Sequence, residues 1–111
     1  MQIPQTLFVG GQKWRVVFKP LAEIDAACNG GWCLWEKNII FIANDIPQDR
    51  QEEIFLHELL HAINIYLSEK ETEYLAAALY QVLKQNNLNF AELSKGGFSV
   101  LPLWQNWKKL F

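Results

Sequence analysis

Residues 55–62 of the chain read Phe-Leu-His-Glu-Leu-Leu-His-Ala and contain both of its histidines, His57 and His61. If this stretch is helical, positions four apart lie on one face, so the two imidazoles can converge on a single tetrahedral zinc ion. Glu58 follows the first histidine and lies about 100° further round the helix. It is therefore badly placed as a third ligand but well placed as the general base that takes a proton from zinc-bound water.

The motif falls within a predicted helix that spans about residues 46–67. Its start is indicated by Asp45, which can cap the helix, by Gln48 three residues later, and by Pro47, which a first turn tolerates. Its apolar side chains form a wide stripe that we expect to pack on a sheet. The stripe consists of Ile54, Phe55, Leu59, Leu60, Ile63 and Tyr66.

Two β-hairpins are predicted before this helix, which makes the fold α+β with a mostly antiparallel sheet of three to four strands. The first hairpin joins residues 7–9 and 14–18 through two glycines, and the second joins residues 32–35 and 39–42. Residues 39–42 are apolar at every position, which is typical of an interior strand covered on both faces. Residues 21–27 either continue a strand or form a short helical turn.

A second helix is predicted to begin near residue 68 and to run to about Gln85. Ser68 and Glu71 have the spacing of a capping box, and Thr72 is an alternative cap. After this helix we expect a short third helix at residues 89–95, an extended stretch at 98–104 and a closing turn at 104–111. A partner-binding peptide is the alternative for that last segment.

A catalytic zinc needs a third protein ligand, and the candidates are glutamates of the second helix. The chain has no further histidine and no suitably placed cysteine. Glu71 is used by the predicted capping box, and Glu69 would sit in the turn. Glu73 lies about one turn into the helix beside alanines that permit close packing, so it is the predicted ligand. The alternative is that all three carboxylates form a solvated helix N-terminus, favoured by the helix dipole.

The composition predicts one soluble globular domain over residues 1–111. Half of the residues are hydrophobic and 14% are aromatic, which excludes a disordered chain. Ten basic against twelve acidic residues give a net charge of −2, so we expect no binding to nucleic acid or to an anionic membrane. No apolar run approaches the roughly 20 residues that a membrane span needs.

The cysteines and the N-terminal sequence indicate a cytoplasmic protein. Cys28 and Cys33 do not have the C-x-x-C spacing of zinc ribbons or redox motifs, and we expect them to be reduced thiols. A disulfide closing a short loop is the alternative. The first residues contain no basic region followed by an apolar run, so no secretory signal is predicted.

Residues 39–83 resemble the small zinc-metallopeptidase-like proteins encoded in phage and prophage genomes, zincins that look related to the ImmA/IrrE and SprT-like families. The similar pieces are the apolar strand 39–42, the motif stretch 55–62 and residues 73–83, Glu-Tyr-Leu-Ala-Ala-Ala-Leu-Tyr-Gln-Val-Leu. The resemblance implies a zincin-like domain whose zinc is held by His57, His61 and Glu73, with Glu58 as the base. It also implies that strand 32–35 borders the cleft, where a peptide could pair with it.

The expected function is therefore that of a zinc-dependent peptidase of phage or prophage origin acting on a peptide or protein substrate. The chain has neither the cysteine-rich zinc ribbon and basic surface of SprT-like proteins nor a recognisable helix-turn-helix or sensor domain, so the substrate stays open. The alternative is a zinc-binding zincin-fold module with a structural or interaction role and no peptidase activity. Two further alternatives are a metal-dependent hydrolase that acts on a non-peptide bond and a chance motif whose histidines are packed in the core.

Overall fold

The computed structural model describes residues 2–88, which form a four-stranded sheet and two helices. The strands are β1 (Thr6–Val9), β2 (Gln12–Lys19), β3 (Gly31–Leu34) and β4 (Ile39–Ala43), and the helices are α1 (Gln48–Ile63) and α2 (Glu69–Gln85). The α+β class is therefore confirmed. The predictions for residues 89–111 lie outside the described residues. Neither α1 nor α2 is long and apolar enough to cross a membrane.

Both predicted hairpins are present and lie side by side, in the strand order β1-β2-β4-β3. The strands of each hairpin are antiparallel, whereas β2 and β4, which meet at the centre of the sheet, run parallel. The sheet is therefore mixed, and two of its three pairings are antiparallel. The parallel pairing arises because the chain crosses from β2 to the far edge before it returns as β4. Two short 3-10 turns, Leu21–Glu23 and Ala26–Cys28, make this crossing.

Strand β4 is buried along its whole length, as its apolar sequence predicts. Ile40 and Ile42 belong to the same core cluster as Phe55 of α1. On the opposite face, the Phe41 ring stacks on Trp32 with 5.5 Å between centroids, while the Lys19 ammonium lies 4.7 Å from the Phe41 centroid. The prediction of a strand covered on both faces is confirmed, and neighbouring strands contribute to the cover of the second face.

The start of α1 differs from the prediction. The helix begins at Gln48, with Pro47 at the N-cap and no side-chain cap. The carboxylate of Asp45 instead accepts a hydrogen bond from the backbone N–H of Leu21 at 2.8 Å. Asp45 as helix cap was therefore wrong, because its side chain ties the crossing segment to the helix entrance.

The end of α1 also comes earlier than predicted. The helix stops at Ile63 because Asn64 is extended, with φ −138° and ψ 100°. The side-chain carbonyl of Asn64 accepts a hydrogen bond from the N–H of Tyr66 at 3.0 Å, a local turn that competes with the helix. The prediction that Ile63 and Tyr66 pack on the sheet was wrong, since their side chains are 61% and 92% exposed.

Helix α2 begins with the predicted capping box. The hydroxyl of Ser68 accepts from the N–H of Glu71 at 3.1 Å, and the Glu71 carboxylate accepts from the N–H of Ser68 at 3.2 Å. Thr72, the alternative cap, is buried and donates its hydroxyl to the Ser68 carbonyl. This cap makes Glu69 the first residue of the helix.

A polar cluster fixes the first turn of α1 against the second half of α2. The hydroxyl of Tyr80 donates to buried Glu52 at 3.1 Å and approaches Asp49 at 3.2 Å. The Lys84 ammonium lies 3.1 Å from the Asp49 carboxylate. Because the two helices are consecutive and meet at these ends, the start of α2 lies beside the end of α1.

We expect Gly31→Ala to lower the free energy of unfolding by about 1–3 kcal/mol, measured by urea denaturation. A Cβ at Gly31 would overlap Cγ2 of Ile54 and lie 3.1 Å from Cγ of Glu58, so β3 could no longer approach α1. Gly10→Asn is the control, because a Cβ there meets nothing within 4 Å and asparagine tolerates the φ of 59°. Equal stability of the two variants would contradict the close approach.

Candidate metal centre

Helix α1 brings its two histidines together, as the spacing of four residues predicts. The Nε2 atoms of His57 and His61 are 3.2 Å apart, and their ring centroids are separated by 4.8 Å. Both side chains are largely buried, with exposed fractions of 19% and 13%. The same ring nitrogen of each histidine therefore faces one common point beside the start of α2.

Glu69 completes this group. Its Oε1 lies 2.8 Å from Nε2 of His57, and its Oε2 lies 3.0 Å from Nε2 of His61. Among the residues that the structure describes, these three form the group whose ligand atoms, all within 4.8 Å of one another, could hold a metal ion. In a tetrahedral site with bonds of about 2.0–2.1 Å, neighbouring ligand atoms are roughly 3.4 Å apart. The separations here are close to that value, so the residues fit a metal ion.

Glu73, the predicted third ligand, is not a member of the three-residue group. It lies one turn after Glu69 on α2 and lines the same cavity, and its negative charge acts on His57. The structure brings Glu69 to the histidines because the Ser68 cap makes it the first helical residue rather than part of the turn. The role of Glu73 as a ligand stays a prediction.

Glu58 is a buried carboxyl beside the two histidines. It is 5% exposed, its Oε1 is 4.0 Å from Nε2 of His57, and its Oε2 has no hydrogen-bond partner within residues 2–88. Burial, and then the negative charge of Glu69, raise the pKa of Glu58 to about 8. A buried polar atom without a partner is costly, so this oxygen marks a place for a donor or a cation.

Burial also favours the form of His57 that binds metals. Removal from water lowers the pKa of His57, although the carboxylate of Glu69 acts in the opposite direction. The neutral imidazole is the metal-binding form of histidine. His57 is therefore mostly in its neutral form at neutral pH, and no proton has to leave its ring before a metal ion binds.

A cavity of about 300 Å³ opens onto these groups. His57, Glu58 and Glu69 line one part of it, and the ion pair of Arg50 and Glu53, 3.3 Å apart, lines another. Strand β3 is an edge strand of the sheet, and its first residue, Gly31, also lines the cavity. The Glu58 carboxyl, the His57 imidazole and the first residue of an edge strand thus border one space.

Neither cysteine belongs to the metal group. Cys28 lines the cavity, whereas Cys33 is buried in the core, and both are free thiols, as predicted. Burial, followed by the charge of Glu58, raises the pKa of Cys33 to about 12. Cys33 therefore acts as a small apolar core residue.

Comparisons of the chain with protein-family models, with curated proteins and with solved structures find no match. The zincin-like resemblance thus depends on the motif residues themselves. The geometry of His57, His61, Glu58 and Glu69 is the independent observation to which a functional proposal can be attached.

We expect Glu69→Gln to weaken zinc affinity at least about tenfold, because it removes the charge of the carboxylate nearest both imidazoles. Glu73→Gln is the matched variant one turn along the same helix and should change affinity less than about threefold. The measurement is a competition titration against a chromophoric chelator, with thermal unfolding of the metal-free proteins as a check on folding. The reverse order of effects would assign the third ligand to Glu73.

Proposed function

We propose that the protein is a zinc-dependent peptidase, related to the zincin-like proteins of phages and prophages. The observation that carries the proposal is the convergence of His57, His61 and Glu69 next to the buried carboxyl of Glu58. Two imidazole nitrogens and one carboxylate form a ligand set that catalytic zinc sites use, with one position left for water or substrate.

His57, His61 and Glu69 would hold the zinc ion, which would supply Lewis-acid activation of water and of the substrate carbonyl. Glu58 would provide the base once the charge of a bound cation has returned it to its ionised form, and its Oε2, which is buried without a hydrogen-bond partner within residues 2–88, would accept the proton. After the attack on the peptide carbonyl, Glu58 returns this proton to the nitrogen of the leaving amine as the C–N bond breaks. The proton is conserved, and one water is consumed for each peptide bond cleaved.

The edge of β3 supports a peptide as the substrate. An edge strand presents unpaired backbone groups to which an extended peptide can pair. Gly31, the first residue of this strand, lines the cavity together with His57 and Glu58. We therefore infer a substrate that lies along β3 with its scissile carbonyl directed towards His57 and Glu58.

The second candidate is a zinc-holding module without peptidase activity. The contacts of Glu69 favour this candidate, because each oxygen of its carboxylate lies next to one imidazole and Glu69 connects both histidines of α1 to α2. In such a module zinc would connect α1 to α2. The two candidates share the metal and differ in the role of Glu58.

We expect Glu58→Gln to lower the cleavage rate by about 10² to 10⁴-fold while zinc remains bound, because the amide keeps the shape of the side chain but cannot accept the proton. The measurement is cleavage of a diverse peptide library by zinc-loaded protein, with zinc content determined by elemental analysis. Glu23→Gln is the control and should retain the cleavage rate, because Glu23 is an exposed carboxylate in the turn Leu21–Glu23 and does not line the cavity.

Three results would contradict the proposal in different ways. Cleavage by Glu58→Gln at the wild-type rate would remove Glu58 from the mechanism. A zinc-loaded wild type that cleaves no peptide would establish the zinc-holding module instead. A protein that binds no zinc would exclude both candidates.

A further inference from the structure

His61 lies in the last turn of α1, where the backbone carbonyls receive no hydrogen bonds from amides within the helix. The helix ends at Ile63, so the carbonyls of residues 60–63 have no amide four residues ahead within the helix. The carbonyl of Leu60 accepts from the N–H of Asn64 at 2.9 Å. The carbonyl of His61 accepts from the indole N–H of Trp35 at 3.2 Å. A side chain from 26 residues earlier in the chain thus supplies a donor to this turn at a proposed metal ligand.

Trp35 also touches the side chain of His61. The two ring centroids are 6.4 Å apart and the ring planes are inclined by 80°, an edge-on contact. Trp35 follows β3 directly, in the turn that leads to the fully buried strand β4. Its backbone therefore lies between two strands of the sheet, while its indole contacts both the carbonyl and the imidazole of His61.

The other two members of the group are fixed by different means. His57 lies well inside α1, with complete helical turns on both sides. Glu69 follows the capping box formed by Ser68 and Glu71. His61 lies two residues before the end of α1, and helix ends are where local opening generally requires the least free energy.

We propose that Trp35 is a positioning residue of the metal centre, which holds the last turn of α1 through the His61 carbonyl and limits the rotation of the His61 ring. The inference rests on the proposed metal site and adds a residue that no ligand motif identifies. It predicts that metal affinity depends on a tryptophan that contributes no ligand atom.

Trp35→Phe tests this directly. The variant keeps an aromatic ring but removes the N–H donor, and we expect the dissociation constant for zinc to rise about three- to tenfold. Trp35→Ala, which also removes the ring contact, should weaken zinc binding further. Thermal unfolding without metal should change little for Trp35→Phe, because the side chain is 40% exposed.

Trp32→Phe is the matched control. Trp32 lies in the same hairpin and is similarly exposed, at 46%, but its ring stacks on Phe41 on the other face of the sheet. We expect its zinc affinity to equal that of the wild type. A loss of affinity in both variants would show a general effect of the hairpin and overturn the specific role of Trp35.

A second measurement uses the wild-type protein. The indole ¹H–¹⁵N resonance of Trp35, assigned by its loss in Trp35→Phe, should shift on addition of one equivalent of zinc and exchange more slowly with solvent. The indole resonance of Trp32 should stay in place. If Trp35→Phe does not fold, Trp35→Tyr can be used for the assignment instead. The shift of the wild-type resonance then tests the role of Trp35 without a measurement of zinc affinity in a variant.

The outcomes separate this inference from the proposed function. If the wild type binds zinc, but Trp35→Phe binds it equally well and the Trp35 resonance does not move, the positioning role is overturned and the metal centre stands. If the wild type binds no zinc, the metal centre and the positioning role fail together.

Discussion

The packing of α1 against the buried centre of the sheet is the interaction on which the rest of the structure depends. Phe55 and Leu56 are 0% and 1% exposed, and their burial fixes the rotation of the helix about its axis. Because His57 and Glu58 follow directly, that rotation sets where the imidazole and the carboxyl point. Burial of each large apolar side chain contributes about 1.5–3 kcal/mol.

The same packing imposes a cost at Glu58. Raising the pKa of this carboxyl from 4.5 to about 8 leaves it mostly protonated at neutral pH, where the shift lowers the stability of the folded state by about 3 kcal/mol. Two or three buried apolar residues of α1 are sufficient to offset a cost of this size. The helix therefore stays packed with the Glu58 carboxyl buried. A nearby positive charge would stabilise the ionised form of that carboxyl.

Local patterns were sufficient for those parts of the molecule that local forces determine. The hairpins, the capping box of Ser68 and Glu71, and the convergence of His57 and His61 each follow from spacing within a few residues, and the structure contains them all. The early end of α1 was missed because the short turn at Asn64 competes with an otherwise favourable helical sequence.

Non-local contacts could not be derived in this way. The parallel pairing of β2 with β4 depends on how the chain crosses the sheet, which no periodicity specifies. Glu69 and Glu73 are one turn apart and present the same chemistry, so the choice between them depends on where α2 begins relative to α1. The bond from Trp35 to the His61 carbonyl joins residues 26 apart in the chain and leaves no trace in either local sequence.

The charges around the cavity explain why a cation belongs there. Its lining contains four glutamates, at positions 53, 58, 69 and 73, and Arg50 is the one lysine or arginine among the lining residues of the described chain. Arg50 is paired with Glu53, so three carboxylates remain close to the two imidazoles. Because the charge of Glu69 on α2 disfavours ionisation of Glu58 on α1, an ion bound to the folded state alone would stabilise the packing of the two helices by mass action. Metal binding and helix packing are therefore coupled through the same side chains.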